Sequence, residues 1–275
     1  MTQYMKIKST TRVIYRHNPL AEVICQVRFD RILELQDSSP HSFQGLVERT
    51  FPHLTVEHSA SIQVVTSQRN SLTDYEKNPA SAPTIYRFAS ENGDKKVSIC
   101  ADFFSFACTR YSRWEDFKVE FSTLFEKFSS FYPKTALKRI GLRYKDLVLR
   151  EPLGLEDTPW GELISPAVAG IFATGSFFDP SLNVTDERML QQGQQAVIML
   201  DECDILLQSA VLTNTDSPPK RAFLIDSDFY HESERHIVTR SSLMESIEIL
   251  HTNAGALFRA CITDKLHDAL GPQPV

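Results

Sequence analysis

The sequence predicts an α+β protein built from two tandem β-α-β-β-β-α-like units, with antiparallel sheets and long helices packed on one sheet face. Three observations predict this class: apolar alternation typical of strands, two long apolar-periodic segments typical of helices, and an element order that repeats in the second half. The units are expected at 1–135 and 136–275, or as one continuous domain. A pseudo-twofold saddle is the expected arrangement, with two sheets or one continuous sheet.

The first half begins with a strand and a short helix. Apolar residues alternate in "EVICQVRF" (22–29), which is typical of a strand. Ser39 followed by Pro40 predicts a helix start, and Pro52 predicts its end. A second strand is predicted at 61–68.

A hairpin and a long helix complete the first half. Strands at 84–90 and 95–104 flank Asn92-Gly93, which is a strong hairpin signal. Ser112 and Glu115 fit a capping box at the start of the helix that follows. Its apolar residues recur every three or four positions, as on a helix face buried against a sheet. They are Trp114, Phe117, Phe121, Leu124, Phe128 and Phe131.

The second half repeats this order. Thr158, Pro159 and Pro166 predict the start and end of a short helix, and Ser242 with Glu245 predicts a second capping box before the last long helix. The predicted strands are, in order, 137–149, 169–177, 195–200, 204–213 and 221–230.

Two similar stretches, "VSICADFF" (97–104) and "FLIDSDFY" (223–230), raise the question of whether Cys100 and Asp102 form a chemical site. Each stretch precedes a long helix in its own half. The repeated order therefore predicts that Asp102 and Asp228 are strand-end residues of the repeated unit rather than catalytic carboxylates.

Composition restricts the class of function. The formal net charge of −6 disfavours a general nucleic-acid binder, which is usually basic. The first residues lack a secretory pattern and no stretch reaches membrane-spanning length, so a cytoplasmic protein is expected. Five scattered cysteines without a CxxC pair predict buried, reduced thiols.

Motifs for chemistry are few, since neither a nucleophile elbow nor a glycine-rich phosphate loop is present. No cofactor is predicted. Asp201, Glu202 and Asp204 in "LDECD" and His231 and His236 in "HESERH" are the candidate metal ligands, because carboxylates and imidazoles are common ligand types. An acidic turn and a solvated polar loop are the alternative interpretations.

The strand "KRIGLRYK" is the candidate contact for a partner or for nucleic acid, through Arg139, Arg143, Tyr144 and Lys145. Basic and aromatic side chains on a sheet surface can hold phosphates and stack on bases. Strand alternation, however, places Arg139, Arg143 and Lys145 on one face and Tyr144 on the other. This pattern is also typical of a half-exposed structural strand.

Three segments, "HNPLAEVICQVRF", "LKRIGLRYKDLV" and "LFRACITDKLHDALG", resemble a sporadically distributed family of uncharacterised bacterial proteins with an N-terminal Pro-hydrophobic-x-Glu-Val strand. The resemblance implies a bacterial cytosolic protein encoded near defence or mobile-element genes, and it brings no catalytic residues. The chain has Asn18-Pro19 where the family usually has two prolines.

These observations favour a non-catalytic binding or adaptor protein that acts on a protein partner in an antiviral defence or toxin-control system, with a homodimer as a further expectation. A nucleic-acid-binding accessory factor is the first alternative, and its support is the basic strand. A metal-dependent hydrolase that uses the carboxylate and histidine candidates is the second.

Overall fold

The computed structural model describes residues 5–37, 39–58, 83–133, 135–173, 192–214 and 220–274, which fold as a mixed α+β structure with helices packed against a large antiparallel sheet. The strands are β1 (Val13–Tyr15), β2 (Leu20–Phe29), β3 (His53–His58), β4 (Thr84–Ala89), β5 (Lys95–Cys100), β6 (Phe103–Cys108), β7 (Leu137–Leu149), β8 (Gly193–Met199), β9 (Asp204–Thr213), β10 (Arg221–Glu232) and β11 (Pro272–Pro274). The helices are α1 (Glu34–Asp37), α2 (His41–Val47), α3 (Trp114–Phe131), α4 (Trp160–Leu163), α5 (Pro166–Ala169), α6 (Leu243–Cys261) and α7 (Asp264–Ala269).

Nine of these strands form one sheet in the order β3-β4-β5-β6-β2-β7-β10-β9-β8, and each neighbouring pair is antiparallel. The central pair is β2 and β7, so the strands of the first half lie on one side and those of the second half on the other. Of the two arrangements expected from the sequence, the continuous sheet is therefore the one observed. The remaining strands, β1 and β11, pair with each other.

The two long helices cover one face of this sheet. In α3 the buried side chains are Trp114, Phe117, Phe121, Leu124, Phe125 and Phe128. The predicted aromatic stripe is confirmed except at Phe131, whose surface is 39% exposed near the helix end. In α6 the buried set includes Leu243, Ile247, Leu250 and Leu257, and this helix lies against β7 and β10. Apolar periodicity thus identified the helix faces that bury the core.

The hairpin between β4 and β5 is confirmed. Gly93 adopts a φ of 72°, a left-handed conformation that glycine enters without steric cost. The Ser90 hydroxyl donates to Asp94 Oδ1 at 2.9 Å and accepts a hydrogen bond from the Lys95 amide at 3.0 Å. Side chains of the turn therefore fix the register of the two strands.

The predicted strand at 95–104 is wrong in extent, because the chain turns at Ala101-Asp102 and makes two strands, β5 and β6. The turn is held by β2, whose Phe29 amide donates to the Asp102 carbonyl at 3.1 Å. Asp102 therefore lies in a turn, whereas Asp228 lies inside β10. The two aspartates do not occupy equivalent positions.

Both predicted capping boxes are wrong in their hydrogen bonds. The residue before α3 is Arg113, and no side chain caps the helix; Glu115 instead pairs with Arg12 at 3.0 Å. Ser242 does precede α6, but its hydroxyl accepts from the Thr239 amide at 3.1 Å and makes no cap. In both cases a nearby tertiary or turn partner competes for the group that would cap the helix.

The second half also departs from expectation at its short helices. Pro166 begins α5 rather than ending a helix, which suits a residue that fixes φ and lacks an amide donor. In the predicted strand 169–177, Gly170–Phe172 forms a 3-10 turn, and residues 174–177 lie outside the described residues. The predicted strand 61–68 also lies outside them, and β3 was not predicted.

All five cysteines are buried and free of disulfides. No helix in the described ranges is long and apolar enough to cross a membrane.

Candidate functional site

The sheet face opposite the long helices contains a depression of about 350 Å³, here called the trough. Ile85 and Arg87 of β4 line one end, and Val197 of β8 lines the other. Strands near opposite edges of the sheet border the same depression, so the sheet must curl around it. The floor is formed by the central strands β6, β2, β7 and β10.

Cross-strand ion pairs cover this floor. Arg143 on β7 donates to Asp226 on β10 through Nε at 2.7 Å and through Nη2 at 2.5 Å, a two-pronged contact. The Asp226 side chain is only 7% exposed, and its hydrogen bond raises the pKa of Arg143. On the same sheet face, β7 also pairs with its other neighbour, β2, where Lys145 Nζ lies 2.6 Å from the Glu22 carboxylate. Charges of opposite sign therefore alternate from strand to strand.

Gly141 makes room for the next pair in this network. Arg139 Nη2 lies 2.8 Å from Asp228 Oδ2, and the guanidinium sits 4.4 Å from the centre of the Tyr230 ring. A Cβ added to Gly141 would meet Arg139 Nη1 at 2.5 Å. The absence of a side chain at Gly141 thus allows Arg139 to lie flat across β7.

Arg28 and Asp102 form a looser pair than those of the floor, with a single contact of 3.3 Å and both side chains 31% exposed. The sequence raised the question of whether Asp102 belongs to a chemical site with Cys100. In the structure Asp102 is an ion-pair partner at the edge of the trough. Cys100 beside it is buried with Ile85 and Phe103. Burial raises the pKa of the Cys100 thiol to about 11, so the thiol is protonated at neutral pH and a poor nucleophile.

Tyr144 does not belong to this surface. It lies on the helix side of β7, buried, with its hydroxyl 2.8 Å from His251 Nδ1. The His251 ring in turn stacks on Trp114 with ring centres 4.1 Å apart. As strand alternation indicated, Arg139, Arg143 and Lys145 share the trough and Tyr144 is separated from them by the sheet.

The two candidate metal-binding segments come together at one end of the sheet. His231 Nε2 lies 2.7 Å from the carbonyl oxygen of Glu202, and the rings of His231 and His236 stack with centres 4.6 Å apart. Burial lowers the pKa of both imidazoles. The contacts are therefore between neutral rings and a backbone carbonyl.

Two carboxylates of these segments have cationic partners. Asp204 is buried and pairs with Arg235, and Glu202 pairs with Lys6 at 3.1 Å. Asp201 contributes its amide, which donates to the Met5 carbonyl at 3.2 Å. Within the described part of the chain, no three His, Cys, Asp or Glu side chains converge as metal ligands. The segments thus meet as a structural cluster of ion pairs and stacked rings.

Comparisons of the chain with protein-family models, with curated proteins and with solved structures return no match.

The sequence predicted three trough residues as a contact surface, Arg139, Arg143 and Lys145, and named Asp102 and Asp228 only as strand-end residues. Their carboxylate partners Asp226 and Glu22 lie on other strands, and register decides these pairings. The alternation of charge in "RAFLIDSDFY", with both aspartates on one side of the strand, was the available signal for the missing partners.

Proposed function

We propose that this chain is a non-catalytic binding protein that engages a protein partner through the trough. The observation that carries the proposal is the self-paired charge of the trough floor, where cations of β7 contact carboxylates of β10 and β2 at 2.5–2.8 Å. A face with both signs of charge and apolar residues between them suits the mixed surface of a protein.

The same pairing disfavours nucleic acid as the partner. A phosphate approaching Arg143 or Arg139 would have to displace Asp226 or Asp228, and these carboxylates would repel it. The chain as a whole is acidic, with a formal net charge of −6. Nucleic-acid binding therefore ranks below protein binding.

Metal-dependent hydrolysis ranks lower again. Its candidate carboxylates Asp204 and Glu202 are engaged by Arg235 and Lys6, and the imidazole of His231 is engaged by a backbone carbonyl. Catalysis would need these groups to converge on one ion, as ligands do in known metal sites.

The biological setting of the proposal is an adaptor in a bacterial defence or toxin-control system. This part rests on the resemblance of "HNPLAEVICQVRF" and two later segments to a bacterial family with such gene neighbourhoods. The genes that flank the coding sequence test it, since neighbours unrelated to defence or toxins would remove this setting and leave the binding proposal standing.

The test of the binding proposal compares two alanines on opposite faces of the sheet. Ala107 lines the trough, and Ala196 is exposed on β8, where strand alternation directs it away from the trough. Tagged parent, Ala107→Arg and Ala196→Arg proteins are each purified from the native host, with and without nuclease. We expect one protein to co-purify with the parent and with Ala196→Arg, with or without nuclease treatment. The same protein should not co-purify with Ala107→Arg. Equal recovery with all three proteins would overturn the proposal.

The same preparations test the homodimer and the two alternative functions. Light scattering gives the mass of the purified chain and tests the homodimer. Absorbance at 260 nm before nuclease treatment tests the nucleic-acid alternative, and Asp201→Ala/Asp204→Ala is the control for any metal-dependent hydrolysis.

We also propose that the two halves are copies of one β-α-β-β-β-α unit related by a pseudo-twofold axis. Support comes from strand order, since β6-β5-β4 runs outward from β2 as β10-β9-β8 runs outward from β7. The first half has β3 in addition. Superposition of the two halves in an experimental structure tests this, and non-equivalent positions of α3 and α6 would contradict it.

A further inference from the structure

Two charged side chains of the trough differ from the others. Eight charged side chains line the trough and have an ion-pair partner. They are Glu22, Arg28, Arg87, Asp102, Arg139, Arg143, Lys145 and Asp228. Lys96 and Glu232 also line it, and neither side chain makes an ion pair or hydrogen bond to the described residues. Among the described residues, these two charges of opposite sign are therefore the candidates for contact with a ligand.

Lys96 and Glu232 lie far apart across the trough. Lys96 is on β5 and Glu232 on β10, and three strands, β6, β2 and β7, run between them. Four interstrand spacings of about 4.8 Å give roughly 19 Å across the strands. The register row of Lys96 meets β10 at Asp228, and Glu232 lies four residues, or about 13 Å, further along that strand. The separation along the sheet is therefore roughly 23 Å, and the curl of the sheet shortens the direct path. An extended peptide rises about 3.3 Å per residue, so about seven residues span this distance.

The surface next to Lys96 is apolar. In the sheet register Lys96 is opposite Ala107, Ala107 is opposite Ile24, and Ile24 is opposite Arg143. A segment that starts at Lys96 and crosses the strands would therefore pass over a methyl group and an isoleucine before it reaches the paired charges of the floor.

We infer that the trough binds one extended segment of the protein partner laid across the strands, with an acidic side chain at Lys96 and a basic side chain at Glu232. This inference rests on the proposed function and adds the chemistry of the recognised segment. The residue next to the acidic one would be apolar, to contact Ala107 and Ile24. The paired arginines of the floor would be contacted by the backbone and uncharged side chains of the segment.

The test uses labelled seven-residue peptides with an apolar, uncharged centre and one charged residue at each end. Three classes are compared by fluorescence anisotropy: acidic–basic, basic–basic and acidic–acidic. Each charge is partly solvated, so one lost or reversed contact should change the dissociation constant by roughly three- to tenfold. We expect the parent to prefer the acidic–basic class by at least this factor.

Charge reversal at the two positions should move the preference in a defined way. Lys96→Glu should prefer basic–basic peptides, and Glu232→Lys should prefer acidic–acidic peptides. The double variant Lys96→Glu/Glu232→Lys should regain the acidic–basic preference, which a general loss of folding would not produce. Lys138→Glu, a change at an exposed lysine outside the trough lining, is the matched control and should keep the parental preference.

The outcomes separate this inference from the proposed function. If Ala107→Arg loses the partner but the charge-reversed variants keep the parental preference or no class binds, the segment inference is wrong and the binding proposal stands. If Ala107→Arg keeps the partner, the binding proposal fails and the segment inference fails with it. A preference that follows both reversals supports the inference.

Discussion

The two faces of the sheet treat ionisable side chains in opposite ways. Asp146 on β7 faces the helices, where burial raises the pKa of its carboxyl to about 8, so it is protonated at neutral pH. Asp226 on the adjacent strand faces the trough and is held by two hydrogen bonds from Arg143. The face covered by the helices thus favours the neutral form of an ionisable side chain, whereas charged side chains on the open face form ion pairs.

This difference follows from access to water. Under α6 a charged carboxylate or imidazole would lose its hydration, so the neutral form of His251 is also favoured there and its pKa falls to about 4. In the trough, water remains close enough to support charges that are paired across strands. The open face is therefore the one that can recognise a charged partner, and the covered face is the one that stabilises the fold.

The largest expected effect is on the covered face. Phe121 is fully buried, with its ring centre 6.3 Å from that of Phe104 and 5.9 Å from that of Phe125. Phe121→Ala leaves a cavity under the sheet, so the free energy of unfolding in urea should fall by roughly 3–5 kcal/mol. Val119→Ala, on the exposed side of the same helix, should change it by less than about 0.5 kcal/mol. Similar decreases in the free energy of unfolding for both variants would mean that the buried face of the helix is wrongly identified.

Asp146→Asn tests the removal of charge on the covered face. The carboxyl pKa rises on folding from 3.8 to about 8, so the native state holds a proton that the unfolded state releases, and stability is lost as pH rises through this range. The variant lacks this loss and should gain roughly 2–5 kcal/mol over the parent between pH 4 and pH 8. Urea unfolding across this range measures the gain, and a constant difference between the proteins would contradict the prediction.

His251 should give the opposite pH dependence. Its pKa falls from 6.5 to about 4 on folding, so the unfolded state binds the proton more readily and stability is lost as pH falls from 6.5 to 4. The contribution is about 3 kcal/mol at most, because each pKa unit corresponds to about 1.4 kcal/mol. In the same unfolding experiment, His251→Asn should reduce the decrease in stability between pH 6.5 and pH 4. An unchanged decrease would mean that other groups cause the acid sensitivity.

The smallest effect is expected on the open face. A double-mutant cycle with Arg139→Ala and Asp228→Ala should give a coupling energy of about 1 kcal/mol, because both side chains are mostly but not fully buried. The matched cycle at the exposed Lys6 and Glu202 pair should give a coupling near zero. Equal couplings would remove the distinction between the trough floor and an ordinary surface.

Local patterns in the sequence predicted the long helices and most strands, because a buried face imposes its own period on the residues. They failed where no local signal exists. The turn at Ala101-Asp102 lacks Gly, Pro and Asn, and apolar residues continue through it, so β5 and β6 were merged. Ser242 has the right position for a cap, but its hydroxyl is engaged by Thr239.

The trough was less accessible to prediction than the fold. Alternation within β7 separated Arg143 from Tyr144 correctly, since it depends on one strand alone. Pairing with Asp226 or Glu22 depends on which strands are neighbours and on their register, which a single sequence does not specify. The meeting of His231 with Glu202 is a long-range contact of the same kind.

Thiol labelling can test directly whether the partner lies in the trough, because all five native cysteines are buried. A cysteine introduced at Ala107 or at Ala196 is then the reactive thiol on its own face of the sheet. Maleimide labelling rates are measured for each variant alone and with the protein that accompanies the parent from the host. If the partner lies in the trough, labelling of Ala107→Cys should be at least tenfold slower in the complex, and the rate for Ala196→Cys should be unchanged. An unchanged rate at Ala107→Cys with protection at Ala196→Cys would place the partner on the other face and contradict it.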